Sequence, residues 1–182
     1  NFNFLRTIPG SVGGALIMNA SFLGETISDS LLEIEGFDYM NRYIKLKKED
    51  IIFSYRYSNI KEILKIVTYA YFKSNYADKR EIEERIITAY NYRKKQPNIK
   101  YTLGSAFKNK KDIKAYELIQ NVDKYEYKTF KVNKIHKNFL EFVPNSKGYE
   151  IRNDLLSFKN NVETSSGESL EFEIQSLYDI YK

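Results

Sequence analysis

The sequence predicts an α+β fold, because helical and strand-like segments mix along the chain without regular alternation. Four segments have the β-branched and aromatic composition typical of strands, at residues 31–37, 63–72, 137–143 and 170–174. Apolar residues at helical spacing follow Asp78, Asp112 and Ile151. A strict strand–helix–strand repeat, which would build a parallel sheet, does not occur. The order of elements therefore favours α+β over α/β.

The segment at residues 63–72 is apolar at almost every position, which predicts a buried central strand. The clearest helix begins near Asp78. Asp78 can cap it, and Glu81 lies three residues later, as in a capping box. Basic residues gather at the other end of this segment and complement the helix dipole. Pro97 marks its exit.

We place a domain boundary just before this helix, which gives domains at residues 1–77 and 78–182. Within the second domain, apolar spacing predicts a helix over residues 112–122. A further helix carries apolar residues from Ile151 onward and stops at Gly167, since glycine commonly ends helices. Together with the predicted strands, these helices make the second domain a small α+β unit.

Composition excludes several classes of protein. The 182 residues contain no cysteine, which excludes disulfides and thiolate metal sites and fits a reducing, cytoplasmic location. No histidine or carboxylate cluster has metal-ligand spacing, so we expect no metal. The net charge is +5, but lysines alternate with acidic residues, which favours a solvated surface over a nucleic-acid interface. No apolar run is long enough for a membrane helix. The chain opens at Asn1 on apolar residues, so we expect a fragment with native sequence upstream.

Several motifs could carry chemistry, although each alone favours a structural role. Residues 8–15 read Ile-Pro-Gly-Ser-Val-Gly-Gly-Ala, and their glycines would let a phosphate or a flat ring approach the main chain. Arg56 lies between two tyrosines, and in an extended segment it would point away from both and could hold an anion. Ser105 directly follows a glycine, but the sequence around it lacks the Gly-x-Ser-x-Gly motif of α/β-hydrolases. Glu171 and Glu173 would share one face of a strand. His136, the only histidine, is expected to be structural.

The order and spacing of these motifs are more specific than any one of them. Residues 8–15 are followed by Met-Asn-Ala at 18–20, Ser-Asp at 28–29 and Tyr-Arg-Tyr-Ser at 55–58. Gln-Pro at 96–97, Gly-Ser-Ala-Phe-Lys-Asn at 104–109 and Leu-Glu-Phe-Glu-Ile at 170–174 complete the series. The series resembles the UDP-N-acetylenolpyruvoylglucosamine reductase family. The direct run from Arg56 to Gln96 is similar to the shorter subclass, which lacks an inserted substrate loop.

The resemblance implies a fold and a mechanism. It implies the C-terminal part of a vanillyl-alcohol-oxidase-like FAD-binding domain, followed by a substrate-binding domain. Bound FAD, reduced by NADPH, would reduce the enolpyruvyl group of a UDP-sugar in peptidoglycan precursor synthesis. Ser105 would donate a proton, Arg56 and Glu173 would stabilise the enolic intermediate, and Asn109 would contact the substrate. The FAD would be lined by six consecutive residues: Pro9, Gly10, Ser11, Val12, Gly13 and Gly14.

We further expect a monomer that binds neither nucleic acid nor membrane, and residues 1–182 alone to bind FAD poorly and to be inactive. Some positions depart from the family pattern. Asn19-Ala20-Ser21 stands where the family has Asn-Ala-Gly, Lys128-Thr129 replaces a Gly-Gly pair, and Gln175 replaces an arginine. Two alternatives stay open at this point: a flavin oxidoreductase of related fold acting on another substrate, and a basic nucleic-acid-binding domain.

Overall fold

The computed structural model describes residues 3–119 and 125–175, and the chain divides into two compact units, Asn1–Arg93 and Lys94–Lys182. Both units mix helices with antiparallel strands, which confirms the predicted α+β class. Among the described residues, no helix combines the length and apolar character needed to cross a membrane.

The first unit is built around a three-stranded antiparallel sheet with the order β4–β3–β7. Its helices are α1 (Val12–Ile17), α2 (Ile60–Ile63) and α3 (Lys79–Lys94). Its strands are β1 (Ser21–Phe22), β2 (Glu25–Thr26), β3 (Leu31–Asp38), β4 (Tyr43–Lys47), β5 (Phe53–Ser54), β6 (Tyr57–Ser58) and β7 (Leu64–Phe72). One face of the sheet packs on an aliphatic core made of Leu16, Ile27, Leu31, Ile34, Ile51, Ile60 and Leu64.

Strand β3 confirms the prediction for residues 31–37, and β7 confirms a strand at residues 63–72. The expected central position of β7 is wrong for the described sheet, because β3 occupies the centre and β7 pairs with it on one side. Ile66, Tyr69 and Tyr71 are consequently exposed. Tyrosine has an apolar ring and a polar hydroxyl, so a tyrosine-rich segment is compatible with a solvated face as well as a buried one.

Helix α3 begins where the sequence predicts, and its first turn is capped by Asp78, whose Oδ1 accepts the Arg80 N–H at 2.8 Å. Its side chains contact the first unit. Arg85 forms an ion pair with Glu25 at 3.1 Å, and the rings of Tyr92 and Phe22 meet edge to face. The compact units divide at the last residue of this helix, between residues 93 and 94. The domain boundary predicted before residue 78 stays a prediction.

The second unit contains α4 (Ala115–Leu118), β8 (Phe130–Val132), β9 (Leu140–Phe142) and α5 (Gly148–Ser166). Strands β8 and β9 form an antiparallel hairpin, and α5 ends at Gly167 in the left-handed conformation, as predicted. The core combines aliphatic and aromatic side chains: Ala106, Phe107, Ala115, Ile119, Phe130, Leu140, Phe158, Val162 and Leu170.

Two predicted elements of this unit were too long. The helix expected over residues 112–122 forms a single turn, Ala115–Leu118, and residues 120–122 lie outside the described part. The strand expected over residues 137–143 is shortened to β9, because the chain turns just before it, where the Phe139 N–H donates to the His136 carbonyl at 2.9 Å. Both predictions overextended an apolar pattern into turns whose backbone bonds are local.

Lys128 and Thr129 stand where the resemblance predicts two glycines. Their side chains link the start of β8 to α5. The backbone N–H and the hydroxyl of Thr129 both donate to Asp154 Oδ2 at 2.8 Å. Lys128 donates to Glu150 at 3.2 Å, and this hydrogen bond is the main reason that the pKa of Glu150 lies below its usual value. Two glycines could make neither side-chain contact, so these residues add support for the helix.

Candidate active site

The glycine-rich segment leads into α1. Ser11 caps this helix, because its Oγ accepts the Gly14 N–H at 3.1 Å. Pro9, Gly10 and Val12 are exposed, and Val12 shows 56% of its surface although it is apolar. The segment thus presents a small apolar surface beside bare main chain.

The described residues around Gly10 and Gly13 leave room for a side chain at both positions. A Cβ built on Gly10 or Gly13 would meet nothing within 4 Å. Gly10 also has a φ of +152°, which other residues rarely adopt. Glycines that leave open space above the backbone suit the close approach of a flat ring or a phosphate. The residues from Pro9 to Gly14 therefore fit the flavin that the resemblance implies.

Arg56 lies in the turn of the β5–β6 hairpin, where Phe53 pairs with Ser58 and Ser54 with Tyr57. The extended geometry considered for this segment is wrong, because Tyr55 and Arg56 form the two-residue turn. Arg56 has a φ of +53°, in the left-handed region that non-glycine residues seldom occupy. Its guanidinium lies 5.1 Å from the centre of the Tyr55 ring.

Hydrogen bonds tie this hairpin to the end of α1. Asn19 Nδ2 donates to the Ser54 carbonyl at 3.1 Å, and the Ser58 hydroxyl donates to the Leu16 carbonyl at 2.9 Å. Asn19 and Ser58 are both buried. The motif at residues 18–20 and the motif around Arg56 thus lie side by side in the first unit, which sequence spacing could not show.

In the second unit, Ser105 is half-buried and forms an isolated antiparallel bridge with Phe139. The segment is held by Asn138, which is 3% exposed. The Asn138 carbonyl accepts the Ala106 N–H at 2.8 Å, and its side-chain amide bonds both the N–H and the carbonyl of Phe107. Sequence reasoning missed Asn138, because a lone asparagine after a lysine carries no signal of its own.

Glu173 lies on the segment beside Ser105. Its N–H donates to the carbonyl of Ala106 at 2.9 Å, and Phe107 forms a bridge with Phe172. The rings of Phe107 and Phe172 stack with their centres 4.9 Å apart. The strand predicted over residues 170–174 is wrong, because only Phe172 forms a bridge and the chain bends at residues 173 and 174. The fold thus brings Ser105 and Glu173, distant in sequence, onto neighbouring segments.

Asn109 is half-buried, and its Oδ1 accepts the Ala115 N–H at 2.9 Å at the start of α4. The lysines around it are engaged with carboxylates. Lys108 forms an ion pair with Glu171, and Lys110 pairs with Glu168 at 2.5 Å. This basic cluster is therefore largely balanced by acidic partners.

His136 lies next to the Ser105 segment, since its ring packs against Phe139 at 4.8 Å and against Tyr116 at 5.7 Å. Its Nδ1 is buried and has no hydrogen-bond partner among the described residues. Burial lowers the pKa of the imidazole below its usual value, so His136 is neutral near pH 7.

The first unit also contains an open groove of about 370 Å³ between the β1–β2 hairpin and α3. It is lined by Phe22, Leu23, Glu25, Glu81, Glu84, Arg85, Thr88 and Ala89. None of the predicted site residues lines it, and two of its three carboxylates, Glu25 and Glu81, pair with Arg85. The groove does not coincide with the candidate site.

Comparison with known proteins gives one consistent result. The UDP-N-acetylenolpyruvoylglucosamine reductase of Rickettsia massiliae is 33% identical over 180 residues, and that of Pelagibacter ubique is 34% identical over 184 residues. Each alignment covers 97% of this chain and 60% of the relative. A crystal structure of UDP-N-acetylenolpyruvylglucosamine reductase from Thermus caldophilus matches with a TM-score of 0.80 and 28% identity, over 96% of this chain and 63% of that one. No family model matches the chain.

The fold first defines a class, the α+β proteins. Within that class, the chain is similar to members of the UDP-N-acetylenolpyruvoylglucosamine reductase family along 97% of its own length. It spans about 60% of the length of the relatives that it matches.

Proposed function

We propose that the polypeptide reduces UDP-N-acetylglucosamine enolpyruvate to UDP-N-acetylmuramate, with FAD and NADPH, in peptidoglycan precursor synthesis. One observation carries the proposal: the Glu173 N–H donates to the Ala106 carbonyl, so Glu173 and Ser105 lie on adjacent segments. This proximity supports the roles that the resemblance implies for the two residues. The sequence similarity along 97% of the chain supports the same activity.

Pro9, Gly10, Ser11, Val12, Gly13 and Gly14 would hold the flavin against the start of α1. The exposed Val12 and the open space above Gly10 and Gly13 support this role. When bound and reduced by NADPH, FAD would supply the hydride for carbon C3 of the enolpyruvyl group.

Ser105 would donate the proton that C2 needs after reduction. A serine hydroxyl is a weak acid in water, so it donates efficiently only to a strongly basic carbon at a site that excludes water. The half-buried position of Ser105 and its fixed backbone favour such transfer. Arg56 would stabilise negative charge that develops at the substrate carboxylate, as oxyanion-type electrostatic stabilisation does. Glu173 would stabilise the enolic form.

Asn109 would contact the UDP-sugar substrate, and its bond to Ala115 leaves the amide nitrogen to donate a hydrogen bond. We propose a monomeric cytoplasmic enzyme whose partner is this small molecule, without a nucleic-acid or membrane surface. The pairing of Lys108 and Lys110 with glutamates supports the absence of a strong basic patch in that region.

The test uses the polypeptide expressed with any coding sequence that precedes Asn1, and follows substrate-dependent oxidation of NADPH. Ser105→Ala should still allow NADPH to reduce the flavin, because that step needs no proton for C2. Turnover of the enolpyruvyl substrate should fall by about 10²–10⁴-fold, the range of general acid catalysis.

Ser169→Ala is the matched control, since Ser169 is an exposed serine of the same unit. It should retain wild-type turnover. Full turnover by Ser105→Ala would refute the proton-donor role. Wild-type protein that leaves the substrate unchanged would refute the proposed activity.

A further inference from the structure

Ser21 stands where the family resemblance predicts glycine, and it contacts the proposed catalytic arginine. Arg56 Nη1 donates to Ser21 Oγ at 2.6 Å, a short hydrogen bond of the charge-assisted kind. A glycine would offer no acceptor at this place. We propose that Ser21 is a positioning residue, which fixes the guanidinium of Arg56 for the reaction. This inference rests on the proposed function.

The backbone at Arg56 already requires support from its surroundings. Its φ of +53° is uncommon for a residue with a Cβ, and such conformations persist where neighbouring contacts hold them. Both strands of the hairpin are anchored to the end of α1, through Asn19 to Ser54 and through Ser58 to Leu16. The turn is therefore held by three separate polar contacts, and the Ser21 bond is one that reaches the Arg56 side chain.

Backbone anchors alone do not orient the long side chain of arginine, which has several rotatable bonds. Ser21 can do so because its own place is set by the β1–β2 pairing, where it lies opposite Thr26. Tyr55 packs near the guanidinium as well, but a ring contact does not set a direction within the plane of the group. The hydrogen bond at Nη1 does set such a direction.

The chemistry of the acceptor is also suitable. A guanidinium has five N–H donors, and the bond to Ser21 uses one of them. Because the hydroxyl is neutral, it orients Arg56 without cancelling the positive charge. A carboxylate at residue 21 would orient the arginine too, but it would neutralise the charge that the proposed mechanism requires.

The test measures kcat and KM for Ser21→Ala and Ser21→Gly in the polypeptide used for the activity assay. We expect kcat to fall about tenfold with little change in KM, because misplacing a catalytic group affects the transition state most. Ser21→Thr keeps the hydroxyl and should keep most of the turnover. Ser54→Ala removes an exposed hydroxyl from the hairpin that carries Arg56, and it should behave like the wild type.

A double-mutant cycle separates positioning from general support of the fold. In an Arg56→Lys background, Ser21→Ala should have little further effect on kcat. An equal loss in both backgrounds would show that Ser21 acts through the fold, and it would overturn the proposal. Unchanged kcat in Ser21→Ala would overturn it as well.

An NMR measurement of the Arg56 side chain does not depend on turnover. The guanidinium N–H protons should exchange faster with water in Ser21→Ala than in the wild type. Equal exchange would refute the positioning role whatever the kinetics show. An inactive wild type with altered exchange in the variant would refute the proposed function and still support the Ser21–Arg56 contact.

Discussion

Single residues show how the chain compensates where it departs from the family pattern. Thr129 stands where the resemblance predicts glycine. It is 1% exposed, and both its N–H and its hydroxyl donate to Asp154. A buried hydroxyl without a partner would cost stability, whereas one bonded to a carboxylate contributes. The Ser21 hydroxyl likewise accepts a hydrogen bond from Arg56. Both side chains therefore make a hydrogen bond that a glycine could not make.

His136 gives a pH prediction at this scale. Since burial lowers its pKa in the folded state, the unfolded chain binds the proton more readily. The folded state is thus fully favoured above the unfolded pKa of about 6.5, and stability is lost as the pH falls through that value towards the lower folded pKa. His136→Phe removes the titrating group and keeps a ring beside Phe139.

Urea unfolding of both proteins between about pH 8 and pH 5 measures the difference. The wild type should lose more free energy of unfolding over this interval than His136→Phe. The variant is the reference for all other titrating groups, which are common to both proteins. Parallel pH curves would contradict the idea that burial of the imidazole depresses its pKa.

At the scale of elements, strands β3 and β7 approach each other closely at one glycine. Gly36 in β3 lies opposite Val67 of β7 beside a register shift, and a Cβ on it would come within 2.0 Å of the Ile66 carbonyl oxygen. The two strands can approach this closely only because residue 36 lacks a side chain. The composition of β7 shows its strand character, but the close pairing of this strand with β3 depends on a residue in another part of the chain.

Gly36→Ala should therefore destabilise the protein by about 3 kcal/mol, since backbone atoms must shift to admit the methyl group. Gly148→Ala is the matched control. Gly148 begins α5, and a Cβ there meets nothing within 4 Å. Alanine at that position should stabilise the helix by about 0.5–1 kcal/mol. Denaturant unfolding measures both changes, and a neutral Gly36→Ala would show that the sheet relaxes at the register shift.

At the scale of the whole molecule, helix α3 is assigned differently by the sequence and by the structure. The sequence places it at the start of the second domain, whereas its contacts to Phe22 and Glu25 lie within the first compact unit. The boundary was predicted in the polar stretch before the helix. The helix nevertheless packs against an earlier part of the chain, and the local sequence pattern carries no signal for such a contact.

Four fragments test where the boundary lies. Residues 94–182 should unfold at the same denaturant midpoint as residues 78–182, because α3 makes its described contacts elsewhere. Residues 1–77 should be less stable than residues 1–93, since they lack the Tyr92 and Arg85 contacts. A fragment 94–182 that is clearly less stable than 78–182 would support the boundary predicted before residue 78.

The sequence by itself determined the α+β class, the resemblance to the reductase family, strands β3 and β7, and helices α3 and α5. These features depend on local periodicity, on caps and on the order of motifs, all of which lie within the linear chain. It also supplied the candidates Arg56, Ser105 and Glu173, whose roles stay predictions.

Only the tertiary structure placed Arg56 in a left-handed turn against Ser21, and set Glu173 beside the segment of Ser105. It also showed that Asn138 fixes that segment. Each of these arrangements joins residues that are more than 30 positions apart. A hydrogen bond between distant residues depends on how the whole unit packs, and no local pattern records it. The spatial arrangement of the candidate site was therefore decided by packing, although the sequence supplied its residues.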